Sequence, residues 1–408
     1  MYAWKICIAK QIKETEHRPK LSTYLNSMIM RIDYSYLILI IILLFIIFSK
    51  ATEKRKFKWA AWITFLFIGL RACVVGADTY LYTLGYMGFD YYKGKELEPL
   101  YRNVYVPILS SILKFEPFFI FVNTICSLAP IYFLIKKYSE MKAFSVGWFF
   151  IYGIYISYFV ALRQILGLSL LLFGVLYVIK DQKRKWLVYT LFAILAYGFH
   201  TSTSIATVLF VVAYFVRVES RKLILSLILS SALLGIIFQA FDIGDIFNWY
   251  LNMNTGFTTE RLNAYMLSDH SLDAHETSGY IYMLRYTWLG LFIYYFMDQE
   301  KLNHWFSKIF LIAIFIYNLF YNVDMITRMN LAFDIFSLVV ITWAFGERYV
   351  NIMRKHKIIK IIPILVFLWF FQSYIRFHID YDLDELSKMH PYYFFWEDYS
   401  SHPSITRF

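Results

Sequence analysis

Charged residues are scarce in this chain: they make up 17% of its 408 residues, while 59% are hydrophobic and 21% are aromatic. A soluble domain has an apolar share of about 45–50%. The mean hydropathy of +0.51 agrees, because a soluble globule of this length needs more polar surface. The composition excludes an ordinary soluble protein and indicates a polytopic membrane protein, whose helices are sought as apolar runs of about 17–25 residues.

Cysteine and metal-ligand patterns are also missing. Cys7, Cys73 and Cys126 are far apart in the sequence, so they form neither a disulfide framework nor a metal motif. No histidine pair has ligand spacing, and the carboxylates show no metal-cage pattern. The sequence therefore favours metal-independent chemistry without a cofactor. It contains no internal repeat, no low-complexity tract and no soluble domain.

The net charge of +11 is concentrated in short basic clusters between apolar runs. This distribution is typical of cytoplasmic loops and not of a nucleic-acid-binding surface, so we expect no nucleic-acid partner. If the helices alternate in direction, these clusters share one side of the membrane, which the positive-inside rule makes the cytoplasm. The clusters lie within residues 50–58, 136–142, 180–185, 217–222 and 346–360.

The apolar runs predict an all-α, polytopic transmembrane domain over residues 31–376, with about twelve spanning helices. Residues 104–115 are too short to span and predict a re-entrant or interfacial piece. A polar segment, 198–204, predicts a tight helical hairpin turning at one face. The predicted spans are 34–49, 57–75, 117–135, 143–160, 162–180, 186–199, 201–216, 222–240, 280–297, 305–322, 328–345 and 358–376.

The two ends differ from this domain. Residues 1–30 are mixed in charge, and no apolar run precedes a small-residue cleavage site, so they do not resemble a cleaved signal peptide. Met28 and Met30 stand just before the first apolar run, and our hypothesis is that the start codon has been assigned too early. Residues 377–408 are predicted to be an extracytoplasmic tail. The orientation places both termini outside, which the basic N-terminal tail mildly contradicts.

The side opposite the basic loops collects the unusual polar segments. They include residues 75–105, the turns at Arg163, His200 and Arg328, and residues 241–279. Arginines near a membrane surface often snorkel to lipid phosphates. Several at one face, with Arg71 among them, also suit an anionic ligand such as a lipid-linked diphosphate, because guanidinium groups hold phosphate oxygens bidentately.

Candidates for a proton acceptor lie on the same face: Asp78, Glu98 and His200. Asp78 and Glu98 also fit turn or cap roles, and a lone interfacial histidine is often structural, so both interpretations stay open. A glycosyl diphosphate leaves readily and needs no general acid. One base and cations for the developing charge would suffice. The tyrosines of the first outer loop fit an aromatic belt or a sugar-binding groove.

At these residues the chain resembles the EpsG family of exopolysaccharide proteins, which are related to Wzy-type O-antigen polymerases. The resemblance spans roughly residues 65–345, in order and on one face. One departure is Leu166-Gly-Leu, where the family pattern has a small, Ala-rich run. The matching motifs are Arg71 with Gly76-Ala-Asp78-Thr-Xaa-Xaa-Tyr82, Glu98-Pro99-Leu-Tyr101, Leu162-Arg163-Gln164, Phe199-His200-Thr-Ser202, and Arg328 opening a late helix.

The resemblance implies a membrane glycosyltransferase that polymerises undecaprenyl-diphosphate-linked oligosaccharide repeat units into O-antigen, capsule or exopolysaccharide. The reaction would take place at the outer face of the bacterial cytoplasmic membrane. It also implies three sets of site residues. The diphosphate ligands would be Arg163 and Arg328, with Arg71 in support. The base candidates would be His200 first, then Asp78 and Glu98. The sugar contacts would be Tyr82, Tyr101 and Gln164.

Two other functions remain open at this point. An O-antigen ligase uses the same donor with a different acceptor. A polyprenyl-linked glycan flippase or transporter is an alternative of a different class, and it predicts charged residues along a central path, whereas here they cluster at one face. The expected partners are the lipid-linked oligosaccharide and the bilayer, and a chain-length regulator is compatible with them.

Overall fold

The computed structural model describes residues 33–76, 78–89, 98–180, 183–240, 279–321, 329–379 and 389–398. Within these ranges the fold is all-helical, as predicted. Outside the helices, Arg71 and Phe394 form an isolated β-bridge. The N-terminal tail 1–30, residues 241–278 and Arg328 lie outside the described residues, so the predictions on them stay predictions.

The helices are numbered here in chain order. The first nine are α1 Tyr34–Phe48, α2 Glu53–Gly69, α3 Thr79–Met87, α4 Val106–Ile112, α5 Glu116–Tyr138, α6 Lys142–Ile151, α7 Ile154–Val160, α8 Leu162–Ile179 and α9 Lys185–Phe199. The others are α10 Thr203–Phe215, α11 Arg221–Ala240, α12 Gly279–Phe296, α13 Gln299–Leu302, α14 Trp305–Phe320, α15 Leu331–Asp334, α16 Ser337–Trp343, α17 Glu347–Lys355 and α18 Ile361–Ile379. A π-helical turn, Tyr101–Tyr105, leads into α4, and a 3-10 turn, Lys357–Lys360, leads into α18.

Several described helices are long and apolar enough to cross a membrane. There are four by length and composition, and up to five if the bent pair α6 and α7 counts as one span. Shorter apolar helices, α1, α9, α10 and α14, stand beside them. Large apolar side chains on the outside of the bundle, such as Phe45 at 78% exposure and Ile194 at 61%, suit contact with lipid. The chain is thus a polytopic membrane protein, and the count of twelve spans remains a prediction.

Two predicted spans are broken. The span predicted over 143–160 consists of α6 and α7, bent by 63°, because Gly153 between them has φ +95°, a left-handed conformation that interrupts a helix. The span predicted over 328–345 is divided into α15 and α16. There the N–H of Phe336 donates to the carbonyl of Phe333, three residues back, which winds the backbone more tightly than an α-helix.

The predicted hairpin at residues 198–204 is confirmed, since α9 ends at Phe199 and α10 begins at Thr203. Helix α8 packs closely along α9. A Cβ atom at Gly167 of α8 would lie 3.0 Å from the carbonyl oxygen of Ala196 and 3.6 Å from the Cβ of His200. This close approach brings the beginning of α8 beside the hairpin turn.

Basic side chains cap helix ends at the end of the bundle that lies opposite the α9–α10 hairpin turn. Arg221 donates to the carbonyl of Met297, just past α12, at 2.6 Å. Lys308 donates to the carbonyl of Val216, just past α10, at 2.7 Å. The last carbonyls of a helix have no partner within it, so a cation there meets both a hydrogen-bonding need and the negative end of the helix dipole.

The turn after α2 closes the end of α7. Arg71 is fully buried and donates to the carbonyls of Ile68 and Tyr158, the latter at 3.0 Å. Thr79 donates to the carbonyl of Phe159 at 2.5 Å. These two donors satisfy carbonyls that the short helix α7 leaves open. Since α7 ends three residues before Arg163, the turn fixes where α8 begins.

Substitution of Gly76 tests this contact. It has φ +110°, and a Cβ atom there would lie 2.0 Å from the carbonyl oxygen of Phe159. Gly76→Ala should therefore lower the stability by about 3 kcal/mol or more, since it adds a backbone clash to the strain of a left-handed alanine. The measurement is thermal unfolding of the protein purified in detergent.

Gly88→Ala is the matched control. Gly88 has φ +97°, but a Cβ atom there would meet nothing closer than the Lys114 Nζ atom at 3.6 Å. Its cost should be limited to the left-handed strain, about 1–2 kcal/mol. Equal losses at the two positions would show that the approach to Phe159 does not contribute.

Candidate functional site

The carboxylate of Glu98 is the centre of the candidate site. Its side chain is 6% exposed, and its Oε2 atom accepts a hydrogen bond from Arg163 Nη1. Its Oε1 atom lies 3.5 Å from His200 Nε2. A carboxylate removed from water needs compensation by charge and hydrogen bonds, and here one carboxylate is held between a guanidinium and an imidazole.

The backbone of Glu98 is unusual. Its φ is +70°, in the left-handed region that residues with a Cβ atom rarely adopt. Helical backbone begins directly after it, at Pro99, and the carbonyl of Glu98 accepts the N–H of Arg102 at 3.1 Å. Such strain persists where surrounding contacts over-determine a conformation, and it clusters at functional sites. The ion pair with Arg163 is one such contact.

Arg163 links Glu98 to helix α3. It is the second residue of α8, and its side chain is 27% exposed. Its guanidinium carbon lies 4.8 Å from the ring centre of Tyr82, within cation–π range. The hydroxyl of Tyr82 donates to Asp78 Oδ2 at 3.4 Å, and Asp78 immediately precedes α3. The predicted residues Asp78, Tyr82, Glu98, Arg163 and His200 therefore form one connected group.

Aromatic rings continue this group to one side. Tyr101 lies edge-on to Tyr82, with ring centres 6.0 Å apart, and 5.8 Å from Tyr105. Both rings contact Phe199, the residue before His200, at 6.1 Å and 5.4 Å. Tyr105 is anchored by donating to Asn123 Oδ1 at 3.1 Å. Tyr105 and Phe199 were not among the predicted site residues, although Phe199 belongs to the quoted Phe-His-Thr-Ser motif.

His200 is oriented by Ser202. Its Nδ1 atom lies 2.7 Å from the Ser202 hydroxyl and accepts the Ser202 backbone N–H at 3.3 Å. A neutral imidazole carries one proton, so Nε2 is the protonated nitrogen and points toward Glu98. Burial, and secondly the positive charge of Arg163, lower the pKa of His200 to about 4. The imidazole is therefore neutral at pH 7, with the Ser202 hydroxyl at Nδ1 and the Glu98 carboxylate 3.5 Å from Nε2.

This arrangement is suited to capturing an anion. Arg163 is partly exposed, and its partner Glu98 is a single carboxylate on a separate segment of the chain. A diphosphate offers the guanidinium more negative charge than the carboxylate does. An anion that reached Arg163 would therefore compete with Glu98 for the guanidinium. Among the described residues, no group of three histidine, cysteine, aspartate or glutamate side chains is placed to hold a metal ion.

Arg71 lies apart from this group, in the turn after α2. Arg71 is 1% exposed and lies 4.7 Å from the ring centre of Phe159, where it joins two chain segments, so its contact with diphosphate remains a prediction. Gln164 is buried in the first turn of α8. Arg328 lies outside the described residues.

Ser202 was not among the site residues predicted from the sequence. Its position two residues after a helix-ending histidine was the available signal, because serine often bonds to groups two residues away in such turns. The strained backbone of Glu98 had no comparable signal, since no glycine or asparagine marks the position.

Comparison with known protein families gives a match over most of the chain. The model of a family described as the EpsG family matches residues 60–394. No curated protein matches the chain, and no solved structure does. The matched range contains the whole group formed by Asp78, Tyr82, Glu98, Arg163 and His200.

The lowered pKa of His200 predicts a pH-dependent stability. The ordinary value of 6.5 falls to about 4 in the folded protein, so between these values the unfolded chain binds more protons than the folded one. Stability should then decrease as the pH falls from 6.5 toward 4. His200→Gln should remove part of this decrease. The measurement is the midpoint of thermal unfolding at pH 7.5 and pH 4.5.

His356→Gln is the control, since His356 is an exposed histidine at the opposite end of the bundle. It should keep the pH dependence of the unmodified protein. If His200→Gln and His356→Gln behave alike, burial beside Arg163 does not keep His200 neutral.

Proposed function

Because the chain belongs to the EpsG family, a Wzy-like polymerase family, we propose that it polymerises oligosaccharide repeat units linked to undecaprenyl diphosphate. The products would be O-antigen, capsule or exopolysaccharide. The observation that carries the proposal is the buried Glu98 carboxylate between Arg163 and His200. Arg163 would bind an anion and Glu98 would accept a proton, and the two are in contact at one end of the helical bundle.

Arg163 is proposed to bind the donor diphosphate. Its guanidinium is already oriented by the hydrogen bond to Glu98 and by the ring of Tyr82, so little side-chain freedom is lost on binding. The two phosphoryl groups would take over its N–H donors. This positive charge would then stabilise the diphosphate that leaves.

Glu98 is the proton acceptor that the geometry favours. While Arg163 is bound to it, the carboxylate is a weak base, because a neighbouring cation stabilises its charged form. When a diphosphate takes over the guanidinium, Glu98 loses that stabilisation and gains a negative neighbour. Both changes raise its affinity for a proton. The substrate would thus activate its own base.

The proposed transfer step balances without a cofactor. The acceptor hydroxyl oxygen forms a bond to the anomeric carbon of the donor while the bond from that carbon to the diphosphate oxygen breaks. The bonding electrons leave with the diphosphate, next to Arg163, and the hydroxyl proton passes to Glu98. His200 would hold the carboxylate through its Nε2 proton. Its own role as the base stays a prediction, as does that of Asp78.

The aromatic rings beside the site are proposed to contact sugars. Tyr82, Tyr101 and Phe199 form edge-to-face contacts in a continuous row. Sugar rings present C–H faces that pack on aromatic rings, and tyrosine hydroxyls supply hydrogen bonds. Phe199 is the partly exposed ring of the row and would meet the repeat unit attached to the diphosphate at Arg163 first, with Tyr82 and Tyr101 buried behind it.

We further propose that the site faces the exterior or periplasm of the bacterial cytoplasmic membrane. The basic clusters lie at the other end of the bundle, where Arg221 and Lys308 cap helix ends, and basic loops remain in the cytoplasm. A lipid-linked unit in the outer leaflet would then reach Arg163 directly.

Cysteine labelling tests this orientation. Lys114 is exposed at the end that carries the site, and Lys183 is exposed at the opposite end. In a chain whose three cysteines are replaced by serine, a membrane-impermeant maleimide should label Lys114→Cys in intact cells. It should label Lys183→Cys only after permeabilisation. The reverse pattern would place the site in the cytoplasm.

Arg163 variants test the reaction. Arg163→Ala should leave the protein in the membrane but lower polymerisation about 100-fold or more, the effect of removing a main charge-stabilising donor. Polysaccharide should collapse from long chains to single repeats. Arg163→Lys should recover only part of the activity, since it keeps the charge without the bidentate fork. Chain length is read on gels of the extracted polysaccharide.

Arg354→Ala is the matched control, because it removes an exposed arginine at the opposite end of the bundle. It should keep the normal ladder. A normal ladder with Arg163→Ala would refute the assignment of the site. Lipid-linked polymer that persists after deletion of the whole gene would instead indicate a ligase.

A further inference from the structure

The chain returns to the site end of the bundle after its last helix. Residues 389–398, called here the C-terminal strap, lie against the beginning of α1 and the end of α2. The backbone N–H of Tyr392 donates to Asp33 Oδ2 at 2.6 Å, and Tyr36 donates to the carbonyl of Met389 at 3.2 Å. The ring of Tyr392 stacks on Phe67, with ring centres 4.3 Å apart. Nothing in the proposed reaction uses this segment.

A buried chain of hydrogen bonds fastens the strap. His390 Nε2 lies 2.7 Å from His378 Nδ1, and His378 Nε2 lies 2.6 Å from the hydroxyl of Tyr155. His378 is 0% exposed and His390 is 4% exposed. The ring of Tyr36 stacks on His378 at 4.1 Å. Leaving a buried polar group without its partner costs free energy, so the strap is held in one position.

The strap clamps the segment that follows α2. The N–H of Ala72 donates to the carbonyl of Tyr393 at 2.8 Å, and the N–H of Phe395 donates to the carbonyl of Leu70 at 3.0 Å. Arg71 lies between these two bonds, and its side chain caps the carbonyl of Tyr158. The strap is therefore connected, through Arg71 and α7, to the beginning of α8.

We propose that the C-terminal strap is a positioning element of the candidate site, with Asp33 and His390 as the positioning residues that lock it. Locked, the strap holds Arg71 against the end of α7 and sets where Arg163 meets Glu98. Released, it leaves this segment free to move, and the Arg163–Glu98 pair loses its alignment. The inference rests on the proposed function of that pair, while the clamp itself does not.

Cys73 reports on the clamp without any substrate. It lies two residues after Arg71 in the clamped segment and is 3% exposed. In a chain with Cys7→Ser and Cys126→Ser, a small maleimide should react slowly with Cys73. Asp33→Asn and Tyr36→Phe each remove a strap contact, and each should raise the alkylation rate about tenfold or more, because local opening becomes easier.

Tyr374→Phe is the matched control. The hydroxyl of Tyr374 donates to the carbonyl of Tyr36 at 2.8 Å, so this variant removes a buried hydrogen bond from the same region but none from the strap. Its alkylation rate should stay within about twofold of the parent. If the alkylation rate of Cys73 is unchanged in Asp33→Asn and Tyr36→Phe, the clamp is refuted. An equal gain in all three variants would refute it too, since that would indicate general loosening.

Polymerisation kinetics test the connection to the site. Asp33→Asn should lower kcat about tenfold while the KM for the lipid-linked donor changes little, because misalignment affects the reacting geometry more than binding. Its effect should also be non-additive with that of Arg71→Lys, since both act through one contact chain. Unchanged kcat despite faster alkylation, or simple additivity, would overturn the positioning role.

Failure of the proposed function would be seen separately. The unmodified chain would then make no polymer from the lipid-linked donor, whereas the alkylation rates would still decide whether the strap clamps Cys73. Either measurement can fail without the other.

Discussion

The candidate site depends on a single buried carboxylate. Glu98 is nearly inaccessible to water, and an ionised group in such a place must be paired and hydrogen bonded. Its partners lie on separate elements, with Arg163 at the beginning of α8 and His200 in the turn after α9. The need to compensate one charge therefore ties three parts of the chain together and fixes the end of the bundle where chemistry is possible.

Unsatisfied backbone carbonyls impose a second constraint, which acts at both ends of the bundle. At the site end, Arg71 and Thr79 satisfy the last carbonyls of α7. At the other end, Arg221 and Lys308 do the same for longer helices. Lipid offers no hydrogen bonds, so the helix ends determine where cations must go. Burial of Arg71 is thus explained by the fold, while partial exposure leaves Arg163 available to an anion.

The sequence placed several residues of the candidate site on one face because membrane helices alternate in direction. Counting apolar runs placed Arg163, His200 and Glu98 on one face, and the structure brings them into contact. Hydrogen bonds between a side chain and a backbone atom far apart in sequence were not predictable. Arg71 reaches a carbonyl 87 residues away, and Tyr392 reaches the carboxylate of Asp33 across 359 residues. No pattern in the sequence indicates either of these contacts. The bend at Gly153 and the left-handed backbone of Glu98 likewise depend on tertiary contacts.

The pair that orders the site is also the pair that the proposed reaction must break. If Arg163 and Glu98 were farther apart, the carboxylate would be buried without compensation and the guanidinium would be disordered. If the pair were fully enclosed, no diphosphate could compete for it. The 27% exposure of Arg163 beside the 6% exposure of Glu98 lies between these extremes. In the proposed reaction the cation would be open to exchange, while the carboxylate would stay where water cannot solvate it once the cation has a new partner. A base that gains strength only when substrate arrives needs this asymmetry of burial.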